Sequence, residues 1–427
     1  MVYNEAIRLL KTLPRFGNFV GLKRMEALMI ALGNPQNQLR FVHVTGTNGK
    51  GSICAFASSI LQAAGHRVGL FTSPHLFSWT ERFQINGECI SEADFVLYFE
   101  RVMAAANNLA EQNPVMAPTT FDVLTAMAYL YFFDHSVDIA VIEVGIGGRY
   151  DSTNILPNSV AVISNIGLEH TELLGNTITA IAEQKVGIIK PNSQVVTGET
   201  NPEALQVINK CVRQQHAHLK NIVSTDIVKQ KISDDQQIFT WQNYTDVNIP
   251  FLARYESYNA AIVMATVQAV QQQYNLNIAE ENIRHGLAKT KWPLRFEVVH
   301  TAPRIILDAG HNIHGMLALK DELKHLPKSG NWILITGASI DKPYKKMALI
   351  ITPFMDTIIV TAASHKAAPP QEIAKILQQQ GMACKVLSLR ESLIQAKNIA
   401  QPNDTIFVLG GLYLVAEAAE LVPEIFI

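Results

Sequence analysis

The feature that most constrains this chain is a series of short apolar segments with almost no polar face, spaced by helix-length stretches. Residues 139–144, Ile-Ala-Val-Ile-Glu-Val, are the plainest case. A strand that is apolar on both sides must be covered on both sides, which points to a parallel sheet with helices on each face. The spacing predicts strands over 41–44, 68–71, 139–144, 160–163 and 195–197. It predicts helices over 53–64, 92–111, 121–133, 177–186 and 202–215. Between 222 and 249 the pattern shortens to polar–apolar alternation, as expected of a small antiparallel insert. A helix is expected over 258–274. From about Pro293 a second alternation begins, with strands over 305–307, 332–336, 357–360 and 405–409 and helices over 316–326 and 370–380. The expected fold class is α/β in two domains, 1–293 and 294–427.

Length agrees, since 427 residues at roughly 150 per domain suggest two or three domains. Hydrophobic residues make up 48% and charged residues 17%, enough to bury a large core and unlike a disordered chain. Thirty-five Lys and Arg against 37 Asp and Glu leave no field to draw in nucleic acid or an anionic membrane. Cys54, Cys89, Cys211 and Cys384 form no CxxC pair, so neither a disulfide framework nor a structural zinc is expected, and a reducing cytoplasm fits. Residues 1–16 carry Glu5, Arg8 and Lys11 in an amphipathic pattern unlike a signal peptide. No run approaches the roughly 18 apolar residues of a membrane span.

Four motifs follow apolar strands. Gly46-Thr47-Asn48-Gly49-Lys50-Gly51-Ser52 joins a strand to a helix. Glycines let backbone N–H groups close around phosphate oxygens, and Lys50 adds a point charge; the run does not match the common phosphate-loop spacing, because Gly51 separates Lys50 from Ser52. Glu143 ends an apolar strand and precedes Gly145-Ile146-Gly147-Gly148-Arg149, Asp151 and Asn154. A carboxylate at a strand's carboxyl end can hold Mg²⁺, or simply face solvent. Ile166-Gly167-Leu168-Glu169-His170 follows another strand, with His170 readable as a ligand or a structural histidine. In the second half, Asp308-Ala309-Gly310-His311-Asn312 repeats the arrangement, with Asp308 also readable as a helix cap. Arg295 follows Pro293 at the domain junction, where it is either a cleft residue or a surface arginine.

Together these stretches resemble the folylpolyglutamate synthases, of the dihydrofolate synthase and Mur ligase superfamily of ATP-dependent amide-forming ligases. The resemblance runs through Thr45 to Ser52, Thr72-Ser73-Pro74-His75 with Glu81-Arg82, Glu143 to Asn154, His170 to Gly175, Glu183 to Lys190, Asn259-Ala260-Ala261, Trp292 to Glu297 and Asp308 to Asn312. It implies an N-terminal P-loop ATPase domain with a mostly parallel sheet and a smaller C-terminal Rossmann-like domain, with substrates meeting in a cleft between them. By position, Gly46, Thr47, Asn48, Gly49, Lys50, Gly51 and Ser52 would cradle ATP, with Asn259, Arg295 and Asp308 also on the nucleotide. Ser73, Glu143 and His170 match magnesium ligands. Lys185 matches a lysine carried as a carbamate. Thr119, Phe121 and Asp151 would lie at the pteroate end, and His311 and Arg149 near the substrate carboxylates.

The chemistry implied is attack of a folate γ-carboxylate on the ATP γ-phosphorus, then opening of the acyl phosphate by the amine of L-glutamate. Lys50, Glu143, His170 and Lys185 are the expected catalytic set, in a monomeric cytoplasmic enzyme. Five positions depart from the family pattern: Asp122 for Glu, Glu169 for Asp, Val186 for Ala, Leu294 for a small residue, and Gly411 for a serine expected near the incoming glutamate. Two other readings remain: a superfamily ligase joining a different acid and amino acid, and a nucleotide-binding protein without catalysis.

Overall fold

The computed structural model describes residues 1–15, 21–233 and 235–426, so Phe16, at the end of the amphipathic N-terminal stretch, lies outside the described residues. The chain divides into two compact units. The first comprises the described residues of 1–230 with 238–249 and 257–291; the second comprises those of 231–237 with 250–256 and 292 onward.

The first unit is built on an eight-stranded sheet. Its strands are β1 (Arg40–Thr45), β2 (Val68–Phe71), β3 (Phe83–Ile85), β4 (Glu88–Cys89), β5 (Ile139–Glu143), β6 (Val160–Ile163), β7 (Gln194–Thr197) and β8 (His218–Asn221), in the order β4-β3-β2-β5-β1-β6-β7-β8. The six strands β2, β5, β1, β6, β7 and β8 are parallel, and β3 and β4 add an antiparallel edge. Every residue of β5 is buried, as its apolar run requires. Two edge features lie outside the periodicity argument. The β3–β4 hairpin turns on Asn86 and Gly87, with φ of 51° and 80°, the left-handed pair that a two-residue hairpin turn needs. Strand β8, His-Leu-Lys-Asn, is polar because an edge strand is only half covered.

Helices cover both faces. Tyr3–Thr12, Lys23–Ala31, Glu92–Gln112 and Thr120–Asp134 share one large apolar cluster with β1, β2, β3 and β5. Ile178–Lys185 and Pro202–Gln214 share another with β6 and β7. Among the described residues no helix is long and apolar enough to cross a membrane. A three-stranded sheet of β9 (Ile227–Ile232), β10 (Gln237–Trp241) and β11 (Tyr244–Ile249), ordered β11-β10-β9, occupies the expected insert. Only Gln242 and Asn243 separate β10 from β11, so that pair runs antiparallel.

The second unit carries a six-stranded sheet. Its strands are β12 (Glu297–Thr301), β13 (Arg304–Asp308), β14 (Trp332–Thr336), β15 (Thr357–Val360), β16 (Lys385–Val386) and β17 (Thr405–Leu409), in the order β12-β13-β17-β14-β15-β16. Strand β12 is antiparallel to β13, and the other pairings are parallel. Ile306, Leu334, Val360 and Phe407 from the strands pack with Leu319, Met347, Ile373 and Leu377 from the helices. Helices Tyr344–Ile351, Leu389–Ile399 and Leu412–Ile425 complete the alternation without having been expected.

The helix that follows the glycine loop, Lys50–Ala63, is gripped by Glu280–Lys289 at one close crossing. Ser59 Oγ donates to Gly286 O at 2.7 Å. A Cβ on Gly286 would stand 2.4 Å from Ile60 Cα and 2.7 Å from its nitrogen, atoms of backbone that cannot turn aside. Gly286→Ala must therefore push the two helices apart. The expected cost is about 1–3 kcal/mol, typical of overpacking, read as a lowered urea midpoint; an unchanged midpoint would show that the crossing is slack.

Candidate active site

The order of the sheet collects the motifs. Strand β1 lies between β5 and β6, with Val44 level with Glu143 and Thr45 level with Ile163. The loops leaving β1, β5 and β6 therefore emerge side by side at the carboxyl ends, where open α/β sheets bind ligands.

The glycine loop is held by the loop after β6. Thr47 N–H donates to Asn165 O at 2.8 Å, Asn48 N–H to Asn165 Oδ1 at 3.0 Å, and Ser164 Oγ to Asn48 O at 2.5 Å. Gly167 N–H donates to Thr47 Oγ1 at 2.9 Å. Gly49, with φ of 80°, starts the helix, leaving that helix's first amides aimed out of the loop. Lys50 Nζ donates to the carbonyls of Gly46 and Thr47 at 3.0 and 3.2 Å, so its charge sits over the loop itself. Asn259 borders the same turn: a Cβ on Gly49 would meet Asn259 Oδ1 at 2.7 Å. The sequence reading did not name Ser164 and Asn165, although two polar residues directly after an apolar strand were the available signal.

A small pocket joins these loops. Thr45, Gly46, Thr47 and Lys50 line it from β1, Val144 to Gly147 from β5, and Glu169, His170, Leu174 and Lys185 from beyond β6. His170 has φ of 50°, a left-handed conformation uncommon for a residue with a side chain, at the start of a four-residue helix. Lys185 ends the helix Ile178–Lys185 and is only 4% exposed. Burial, then the neighbouring charge of Lys50, brings its amine down to about 7, against the opposing pull of Glu169 and Asp151. At neutral pH much of it is an uncharged, nucleophilic amine.

Glu143 is buried, and its Oε2 accepts the N–H of Ser73 at 2.9 Å, which puts the Ser73 backbone beside the carboxylate. Among the described residues no cluster of three or more His, Cys, Asp or Glu could hold a metal with protein ligands alone. Magnesium is a hard cation usually bound through one or two carboxylates, with water and phosphate oxygens completing its shell. The Glu143 carboxylate is of the type such a cation takes, and His170 lies on the pocket that the glycine loop borders.

Of the residues expected at the pteroate end, Thr119 and Asp151 each belong to a buried polar cluster, and Phe121 stands beside Gly145. Thr119 caps the helix Thr120–Asp134, its hydroxyl accepting from Asp122 N at 3.2 Å while Asp122 Oδ2 accepts from Thr119 N at 2.8 Å. Asp122 also takes Arg24 Nε at 2.6 Å and Ser152 Oγ at 2.7 Å. Phe121 packs against Gly145, where an added Cβ would meet its ring at 2.7 Å. Asp151 is buried and accepts from Ile146 N–H at 2.9 Å and from Thr153 Oγ1 at 2.6 Å. Arg149, expected near the substrate carboxylates, is bonded to the end of the Lys185 helix. Its guanidinium donates to Glu183 O at 3.2–3.3 Å and its N–H to Gln184 O at 2.7 Å, because the loop after β5 runs beside the carbonyl end of the Lys185 helix.

In the second unit Asp308 ends β13 and is 2% exposed. It accepts from Tyr255 OH and Phe296 N–H at 2.9 Å and from Gly310 N–H at 2.7 Å. Burial raises its carboxyl above the ordinary value, while Arg295 and these donors pull it back. Arg295 stands between Leu294 and Phe296, both buried, with φ of 61° and 51°. Left-handed side-chain residues on both sides of one arginine are strained backbone, and glycine would relieve the first. The cap of the helix Ile313–His325 is Asn312 rather than Asp308. His311 Nδ1 lies 3.1 Å from Ala309 O. Gly411 is extended, with φ of −178°, and a Cβ there would stand 3.8 Å from Ala338 Cα in ordinary contact.

Comparison with known proteins bears directly on this arrangement. The Mur ligase middle domain matches residues 44–267 and the Mur ligase glutamate ligase domain matches 294–412. The folylpolyglutamate synthase of Lacticaseibacillus casei is 36% identical over 422 residues, 97% of each chain. A solved complex described as FPGS–AMPPCP–folate is 35% identical with a TM-score of 0.86, covering 99% of this chain and 100% of that one. The Mycobacterium tuberculosis folylpolyglutamate synthase complexed with ADP is 29% identical with a TM-score of 0.90, covering 98% of each. By fold, by sequence and by the order of its strand-end motifs, this chain belongs to the folylpolyglutamate synthase family of the Mur ligases.

Proposed function

We propose that this chain is an ATP-dependent ligase that joins L-glutamate to the γ-carboxylate of a reduced folate through an acyl phosphate. The observation that carries the reading is the meeting of Lys50, His170 and Lys185 with the Gly145–Gly147 loop on one pocket, in a chain of this family. Names of relatives that act on folates, and structures solved with an ATP analogue, folate or ADP, support it. We assign residues 1–293 to the ATPase domain and 294–427 to the C-terminal domain. A cytoplasmic, monomeric enzyme completes the reading; the four free cysteines are what a reducing compartment keeps.

Phosphoryl transfer asks for position and charge neutralisation more than for a protein nucleophile. The amides of Gly46 to Ser52 are assigned to the triphosphate, Lys50 to its charge, and Asn259, Arg295 and Asp308 to the rest of the nucleotide. Magnesium, when bound, neutralises phosphate oxygens, and Ser73, Glu143 and His170 are the residues assigned to hold it. A γ-carboxylate oxygen attacks the γ-phosphorus as the bond to ADP breaks. The glutamate amine then attacks the acyl carbon, loses a proton, and phosphate leaves with the former carboxylate oxygen. Thr119, Phe121 and Asp151 are assigned to the pteroate end and His311 to the amino acid. Arg149, bonded to Glu183 O, serves by holding the Lys185 helix.

The balance of atoms supplies the first test. With ¹⁸O in the folate γ-carboxylate, the label is expected in released phosphate, with ADP formation sustained beyond one turnover only when folate and glutamate are both present. Phosphate without label would exclude carboxylate activation, and a better acceptor than glutamate would move the chain to another ligase of the superfamily.

A lysine whose amine is neutral near pH 7 can add to CO₂, forming an N–C bond and releasing a proton. The product is an anion, which suits a magnesium site where an ammonium would repel the metal. Lys185→Ala is expected to lose about 10²-fold or more in kcat, on the scale of losing one electrostatic group in a closed site, and to recover in part with acetate or formate. Because the neutral fraction grows as pH rises through about 7, CO₂-stripped native enzyme should be reactivated faster at pH 8 than at pH 6 when the concentration of dissolved CO₂ itself is held equal. A free amine in the intact mass, with no rescue by either acid, would overturn the carbamate.

Gly411 has the conformation and space for a larger side chain. A hydroxyl bonded to a substrate carboxylate contributes about 1.5–3 kcal/mol, or roughly one to two decades of affinity. Gly411→Ser is therefore expected to lower the glutamate KM with little change in kcat. An unchanged KM would place the glutamate carboxylate elsewhere.

A further inference from the structure

His43 is a fully buried histidine in the middle of β1. Its Nε2 lies 2.8 Å from Thr153 Oγ1. The Thr153 hydroxyl in turn donates to Asp151 Oδ1 at 2.6 Å, and Asp151 Oδ2 accepts Ile146 N–H at 2.9 Å. A hydroxyl has one proton. Since that proton goes to the carboxylate, Thr153 must accept from His43, so Nε2 carries the ring hydrogen. His43 Nδ1 is buried and has no hydrogen-bond partner among the described residues, so a second ring proton would be left unsatisfied. The imidazole is thus held neutral in one tautomer; burial and the nearby Lys190 charge act the same way. Two further bonds fix the middle of the string: Tyr129 OH donates to Thr153 O at 2.7 Å, and Thr153 N–H donates to Asp151 Oδ1 at 3.1 Å.

The string ends on the loop that lines the pocket, where Gly145, Ile146 and Gly147 face Lys50, His170 and Lys185. Thr45 Oγ1 holds the next carbonyl, Gly147 O, at 2.6 Å. Asp151 and Thr45 therefore restrain consecutive residues of the loop, Thr45 directly from β1 and Asp151 through Thr153 and His43 of the same strand. We infer that His43 and Thr153 are positioning residues, which hold Asp151 so that it keeps the Gly145–Gly147 loop in place beside the lysines of the pocket. Asp151 is then a structural pin as much as a substrate contact, since its Oδ1 is occupied by the backbone and hydroxyl of Thr153. The consequence for turnover rests on the ligase reading above; the consequence for the loop does not.

Two measurements on Thr153→Val and Thr153→Ser test this. Hydrogen exchange at the Ile146 amide is expected to accelerate at least tenfold in Thr153→Val and to return to the native rate in Thr153→Ser, whether or not the protein is a folate ligase. In ligation assays normalised to folded, ADP-binding protein, kcat should fall ten- to a hundredfold in Thr153→Val and lie within threefold of native in Thr153→Ser. A residue that merely stabilised the fold would lower the melting temperature and leave kcat per folded molecule unchanged. Native exchange at Ile146, or native kcat in active native background, overturns the inference; a native protein without ligase activity overturns the proposed function and leaves the exchange result to decide the positioning. Should Thr153→Val not fold, His43→Leu and His43→Gln replace the pair. Glutamine retains an N–H close to the position of Nε2, so Gln should protect Ile146 and Leu should not, and equal exchange in the two would likewise overturn the inference.

Discussion

The first unit depends on the register of β1 between two parallel neighbours. Strand β1 is paired to β5 and to β6, so three connections leave the sheet at one level. Hydrogen bonds of a ladder fix that level to within a residue, because a slip by one would turn every side chain to the opposite face. With β1 buried along five of its six positions, no such slip is tolerable. The phosphate-sized loop, the Glu143 loop and the His170 loop are neighbours for this reason, although more than a hundred residues separate the first from the last.

Around that frame the site is held by polar groups taken out of water. Buried polar atoms are costly unless each finds a partner, so such groups form strings rather than isolated contacts. Asp122 gathers Arg24, Thr119 and Ser152, and Asp151 gathers Ile146 and Thr153. One turn serves both carboxylates, since its Ser152 donates to Asp122 of the neighbouring helix while its Thr153 donates to Asp151. The two lysines differ in kind. Lys50 is partly open and lies over carbonyls of its own loop, whereas Lys185 is enclosed and shifted toward its neutral form. Enclosure near another cation makes the second lysine chemically reactive, a property no local sequence rule assigns to it.

The second unit solves a similar problem with backbone strain. Asp308 is buried at a strand end, where three donors offset its desolvation. One donor is the N–H of Phe296, which the left-handed turn on either side of Arg295 brings to the carboxylate. The cost of the turn is offset by burial of Leu294 and Phe296. Leucine at position 294 is harder to accommodate than glycine, yet its side chain adds apolar contact that glycine would lack.

The sequence by itself determined the strand–loop–helix alternation, the place of the second unit, and the residues that end buried strands. Each of these is a local matter: an apolar run with no polar face demands cover on both sides, and glycines before a helix expose its first amides. Asn86-Gly87 was equally legible as a hairpin turn, while β8 was not, because a polar edge strand has no periodicity to distinguish it from a loop. The tertiary structure alone decided which strands became neighbours and what the polar residues bond. His43 reads in sequence as a break in an apolar strand, and is in fact buried against Thr153, 110 positions away. Nothing in the sequence around Arg149 shows that it holds a carbonyl 34 positions on. Periodicity records which face of an element is dry. It carries no record of the distant donor or acceptor that a buried polar atom must find, and that pairing exists only once the sheet has closed its order.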